Sequence, residues 1–259
     1  MKQDSRRVSR RNFIRVSSFV VLYPAIQSPF LSCAAFRPNE KVDWSKAENT
    51  SDRGGIMTVK EINGNAYLNG SILKPTAIIK SGQTVEVTSG FLHASLPDGS
   101  LIKLSQQASL TVDLDSERGG TLTLNKGALL SVIRKSKRKP YFIRNASALI
   151  GVKGTVVFTE VLTSGQKKTS TFPSNATDYF CNCNGSIDYL NPNKVFQKSS
   201  VSDYHEASFL IPKGNNIQFK RAGFLLNHSD DEIYNLIQTM EGKKHDTNWL
   251  FPKNTMPSY

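Results

Sequence analysis

Cysteine is scarce in this sequence: three in 259 residues, Cys33, Cys181 and Cys183, which is too few for a disulfide scaffold. Long apolar runs are missing as well. The best candidate, from Val16 to about Leu31, is interrupted by Pro24, Gln27, Ser28 and Pro29. It falls short of the roughly 20 residues that a membrane-spanning helix needs. No glycine loop cradles a phosphate, and neither a Gly-x-Ser-x-Gly elbow nor a His-Glu-x-x-His helix occurs. Asp113 and Asp115 alternate with Val112 and Leu114, and Asp230, Asp231 and Glu232 stand at a helix start, where the dipole favours negative charge. Neither acidic group needs catalysis to explain it, so no enzyme is expected. Aromatic residues do not interleave the densest basic run, Arg134 to Lys139, so no nucleic-acid partner is expected either.

What is present begins with a leader. Lys2, Arg6, Arg7, Arg10, Arg11 and Arg15 precede the apolar run, and Ser32, Cys33, Ala34 and Ala35 close it. This order of charged, apolar and small residues is that of a signal peptide. Within it, Ser9-Arg10-Arg11-Asn12-Phe13-Ile14-Arg15 resembles the twin-arginine export consensus, with Arg10, Arg11 and Phe13 at its specified positions. The resemblance implies a bacterial protein that engages the twin-arginine translocon and works in the periplasm or cell envelope. Phe30-Leu31-Ser32-Cys33 resembles a lipobox and makes Cys33 a lipidation candidate, and hence a candidate membrane anchor. Cleavage after Ala34 or Ala35 is the alternative. The leader also carries much of the basicity. The whole chain has net charge +12; residues 1–32 hold six cations and one anion, and 12 − 6 + 1 leaves +7.

Residues 36–55 are polar and look like a linker. From Met57 onward, short apolar runs alternate with Asn-Gly and Asp-Gly pairs. Met57–Ile62, Ala66–Leu68, Thr84–Thr88, Leu92–Leu96, Leu101–Leu104, Leu110–Leu114, Thr121–Leu124, Leu129–Ile133, Tyr141–Arg144 and Val156–Leu162 are predicted strands. Val85 and Val87, or Leu110, Val112 and Leu114, show the period of two expected of half-buried strands. Asn63-Gly64, Asn69-Gly70 and Asp98-Gly99 are predicted turns, and the run Arg134–Lys139 is a predicted solvated hairpin tip. No helical pattern separates these strands, which argues for an antiparallel β-sandwich or a short β-coil.

Residues 57–162 resemble the FecR domain. The likeness rests on Leu96-Pro97-Asp98-Gly99-Ser100, Ile102 and Leu104, then Ala108-Ser109-Leu110, Gly120, Leu122 and Leu124. Gly127-Ala128-Leu129, Pro140-Tyr141-Phe142-Ile143 and Gly151-Val152-Lys153-Gly154-Thr155-Val156-Val157-Phe158 continue it. The resemblance implies a mainly β domain at 56–163 between the leader (1–35), the linker (36–55) and a C-terminal extension (164–259). It also implies a periplasmic module connected with iron-citrate-type signalling. Regulators of that type carry a cytoplasmic anti-sigma segment before a membrane span. About fifteen residues precede the apolar run here, so no such segment is expected, and the inference to transcriptional signalling weakens.

The extension holds the remaining chemistry. Tyr179–Tyr189 is predicted to form a strand, an Asn184-Gly185 turn and a second strand, with Cys181 and Cys183 on one face. In a regular strand their Cβ atoms stand roughly 6.5–7 Å apart. A disulfide needs about 3.8 Å, whereas two thiolates on one metal ion can each lean inward. Exported FecR-domain proteins of similar type carry a Cys-x-Cys-x-Gly hairpin, a His-Asp/Glu-Ala stretch and an Asn-His before an acidic helix start. Their counterparts here are Cys181, Cys183 and Gly185; His205, Glu206 and Ala207; Asn227, His228 and Asp230. Tyr204 stands where such relatives often have a second histidine. The candidate metal ligands are therefore Cys181, Cys183, His205 and His228, for zinc, iron or copper. Buried structural cysteines and a thiol redox pair are the alternatives. Ser229 and Glu232 form a capping box for a helix over Ile233–Met240, with Gly242 as its stop. Three functions follow: a non-enzymatic envelope binding module, a signalling component with an envelope or transport partner tied to iron or siderophore uptake, and a thiol redox protein.

Overall fold

The computed structural model describes residues 55–115, 119–134, 140–166 and 172–241. The leader, with Arg10, Arg11, Phe13 and Cys33, most of the linker, the run 135–139 and Gly242 lie outside them. In chain order the strands are β1 (Ile56–Leu68), β2 (Ser71–Ile72), β3 (Ile78–Lys80), β4 (Thr84–Ser95), β5 (Leu101–Ser105), β6 (Ala108–Asp115) and β7 (Gly119–Ile133). They continue with β8 (Tyr141–Arg144), β9 (Leu149–Val152), β10 (Thr155–Val161), β11 (Asp178–Leu190), β12 (Phe196–Ser202), β13 (Glu206–Lys213) and β14 (Asn216–Arg221). One helix, α1 (Asp230–Glu241), follows. The fold is mainly β, as the alternation predicts, and no helix among the described residues is long and apolar enough to cross a membrane.

The pairings close on themselves twice. β7 pairs with β10, β10 with β11, β11 with β9, β9 with β8, and β8 returns to β7. That ring is a closed five-stranded barrel. A second circuit runs β4, β5, β7, β6 and back to β4. Closure removes the free strand edges that would otherwise template aggregation. β7 and β8 are parallel, so the connection through residues 134–140 joins parallel strands and is not the predicted hairpin.

Long bent strands make closure possible, and here two predicted turns lie inside strands. Asn63-Gly64 lies inside β1 and pairs with Phe91 and Gly90 inside β4. Gly64 and Gly90 both have positive φ (91° and 73°). A Cβ on Gly90 would stand 1.8 Å from the Asn63 carbonyl oxygen, so the two backbones touch where they bend. A Gly127 kink likewise joins the two predicted strands of β7 into one. Asn184-Gly185 is also no turn, because β11 runs straight through it. A Cβ on Gly185 would meet the Thr155 side chain at 2.6 Å. Asn69-Gly70 and Asp98-Gly99 do turn the chain, and Ser100 N donates to Asp98 Oδ1 (2.9 Å) to hold the second.

Two apolar layers result. The inner one fills the rings with aliphatic side chains such as Val85, Leu92, Leu104, Leu110, Val112, Leu122 and Ile150. The outer one lies on the other face of β5, β7, β10, β11 and β13. There Leu130, Phe158, Tyr179, Cys181, Cys183 and Phe209 join Ile233, Leu236 and Ile237 of α1.

Candidate metal centre

The centre begins with an irregularity in β11. Along β10, Val157 faces Asn182 and Val156 faces Asn184, so Cys183 is an extra residue in the ladder. Such a bulge shortens and twists the strand. It brings the Cys181 and Cys183 sulfurs to 3.6 Å on one face, which a regular strand would not do. Asn182, between them, points to the opposite side. There its amide donates to the Gly185 and Ser200 carbonyls, and its oxygen accepts from Thr155 Oγ1.

The neighbouring strand is broken at the same level. β12 and β13 run end to end along β11, pairing with Gly185–Leu190 and Asp178–Asn182 respectively. In the gap, His205 takes a positive φ (38°) and its backbone N donates to the Cys183 carbonyl (3.0 Å). Its ring thereby turns in over the sulfurs, with Nδ1 3.3 Å from Cys181 Sγ. The fourth group comes from the segment before α1. Tyr179 Oη accepts from Leu226 N (3.2 Å), and Asn227, also at positive φ, donates to both oxygens of the buried Glu160 (3.0 and 2.8 Å). These ties deliver His228, stacked on Phe158 at 4.2 Å between ring centres, with Nε2 3.5 Å from Cys183 Sγ.

The one donor atom each of Cys181, Cys183, His205 and His228 lie within 4.8 Å of one another. Both sulfurs' residues are fully buried. Behind each ring stands an acceptor that fixes its tautomer. Asp230 Oδ1 lies 2.7 Å from His205 Nε2, and the Leu226 carbonyl oxygen lies 2.8 Å from His228 Nδ1. Because carboxylate and carbonyl oxygens only accept, each outer nitrogen carries the hydrogen. In a neutral ring each inner nitrogen then presents a lone pair toward the sulfurs, and a proton added there makes it a donor to the Cys181 thiolate. Tyr204 Oη donates to the other Asp230 oxygen (3.1 Å), so the residue standing where relatives carry a second histidine positions a ligand instead of being one.

The electrostatics favour one thiolate. Burial raises the Cys181 thiol, but hydrogen bonds from Cys183, His205 and His228 outweigh it and hold Cys181 well below the ordinary value. Burial, and then the Cys181 thiolate, push Cys183 well above its own. Burial lowers His205, while Cys181 and Asp230 more than offset it and leave the ring raised.

All four predicted ligands therefore converge. The positioning groups Asp230, Tyr204, Glu160 and the Leu226 carbonyl were not expected from the sequence. Asp230 was assigned only to the helix start, although it lies two residues beyond His228. Ser229 does cap the helix: Glu232 N donates to its Oγ (3.3 Å). The Glu232 carboxylate, however, goes to Lys103 of β5.

No curated protein matches the chain. Among the solved structures that resemble it are two described as a "putative anti-sigma factor" from Parabacteroides distasonis ATCC 8503. One covers 62% of this chain and 75% of its own at 13% identity and TM-score 0.40. The other covers 61% and 73% at 13% identity and TM-score 0.41. The family model described as "FecR protein" matches residues 83–173, from β4 to the approach to β11. On that match, the stretch 83–173 of this chain is a FecR domain.

Proposed function

We propose that this protein is a non-enzymatic envelope module in which a FecR domain is followed by an extension carrying a buried Cys2His2 centre for a zinc-class divalent ion. One observation carries the reading: two sulfurs and two ring nitrogens, each nitrogen with its tautomer set from behind, face one point. A tetrahedral ion with about 2.3 Å bonds to sulfur and about 2.0–2.1 Å to nitrogen needs its ligand atoms about 3.4–3.8 Å apart. Three of the six separations here are 3.3, 3.5 and 3.6 Å, and all six lie within 4.8 Å. Acceptors behind metal-bound histidines are the usual supporting shell. Four protein ligands in a buried site leave no open position for substrate, which fits a structural ion and not a catalytic one. A dication also supplies the charge that lets both sulfurs be thiolates. A redox pair would explain the cysteines and the lowered Cys181 thiol but does not need four ligand atoms converging on one point.

Metal analysis of protein purified from its exporting host tests this. One equivalent of zinc-class metal is expected in the native protein and none in Cys181→Ser. Substoichiometric metal in the native chain, or unchanged content in the variant, sinks the reading. The FecR domain favours a second, wider role as a signalling component of the envelope acting through a partner. Deleting the gene and measuring transcripts of iron-uptake loci tests it, and unchanged transcripts count against it. An acid-quenched thiol titration separates both from a redox role, since permanently reduced cysteines exclude that one.

A further inference from the structure

α1 meets the sheet through its first two turns. Ile233, Leu236 and Ile237 are buried in the outer layer, where the helix packs on β4, β5 and β7. Glu232 pairs with Lys103. At the N-terminal end, Asp230 binds His205 and Tyr204, and His228 lies two residues upstream with its ring on Phe158. A twelve-residue helix is marginal in water by itself, so these contacts supply its order.

The contacts differ in how they depend on metal. The apolar face and the Lys103 pair are indifferent to it. The N-terminal end is not. There Asp230, the first residue of α1, holds the outer nitrogen of His205 at 2.7 Å while the inner nitrogen stands 3.3 Å from Cys181 Sγ, so ligand set and helix start share one chain of contacts. A dication held by Cys181, Cys183, His205 and His228 would offset the sulfur charge and fix the His205 ring between sulfur and Asp230. The ion thus joins β11, the β12–β13 break and the base of α1.

Resting on the metal reading, we infer that the ion is a clasp. Metal binding and the docking of α1 on the outer sheet face are one coupled equilibrium, so metal content governs whether Leu101 of β5 and Leu130 of β7 are covered. Coupling of this kind is reciprocal: whatever factor the metal adds to helix docking, helix docking adds to metal affinity.

The test uses the full chain loaded with zinc, and reads amide exchange and competitive zinc titration. On chelation, amides of residues 234–238 should lose protection about tenfold or more, while those of β6 keep theirs. Ile233→Asp, which weakens docking but leaves all four ligands, should still bind one zinc with a Kd raised about tenfold or more by the same reciprocity. Unchanged protection of 234–238 after chelation, or native affinity in Ile233→Asp, overturns the clasp while leaving the metal site standing. If chelation unfolds the whole chain, the Ile233→Asp titration decides alone. A native chain that binds no zinc overturns the metal reading and the clasp together.

Discussion

The inner and outer apolar layers lie on opposite faces of β5, β7, β10, β11 and β13 but hold together by different means. The inner layer is mainly aliphatic, with Tyr141, Phe180 and Tyr189 among its members. Its shape depends on close backbone approaches such as Gly64 against Gly90. The outer layer is aromatic and sulfur-rich, and its polar members meet only because β11 carries an extra residue and its neighbour is broken. The inner layer is stabilised by packing alone. The outer one concentrates polar groups whose favourable arrangement asks for an ion.

The comparison breaks most sharply at Gly90. Gly90→Val places a side chain on the Asn63 carbonyl at a positive φ. It should cost about 4 kcal/mol or more, read as a lowered denaturant midpoint of equal size with and without chelator. A cost that vanishes in chelated protein would mean that the layers are not separable. Asp230→Ala comes next. It removes the acceptor behind His205, and loss of such support lowers metal affinity about 10–100-fold, with little change in the stability of the metal-free chain. Competitive titration checks the first expectation and denaturation in chelator the second. The smallest effect belongs to Asp178, at the rim of the five-stranded ring. Burial raises its carboxyl above the ordinary range despite hydrogen bonds from Ser147 and Thr177. A carboxyl raised in the folded state contributes stability below its unfolded value that is lost as pH rises through the folded one. Asp178→Asn should therefore gain on the native chain as pH rises above about 4, read as a growing difference in denaturant midpoint. A difference that does not change with pH would count against the burial argument.

The inner layer was largely legible in the sequence. Leu110, Val112 and Leu114 announce their strand by period, and Asp98-Gly99 announces its turn by residue type. Asn63-Gly64 and Asn184-Gly185 misled because the pair signals positive φ, and positive φ serves a bend or a close backbone approach as well as a hairpin. The four ligands could be nominated by type and neighbours. Their geometry could not, because a one-residue bulge at Cys183 and a gap at 203–205 are properties of pairing, which no local pattern records. Asp230 was legible only as a helix-start charge, since its partner His205 lies 25 residues away.

β7 has a consequence for the order of assembly. It pairs with β5, β6, β8 and β10 and is the strand that both closed circuits share. Neither circuit can close before it is in place, and the five-stranded one must also wait for β11, dozens of residues later. Contacts so distant along the chain make for slow folding. The last strand of that ring also brings the cysteines, so the thiols are placed only as the barrel closes.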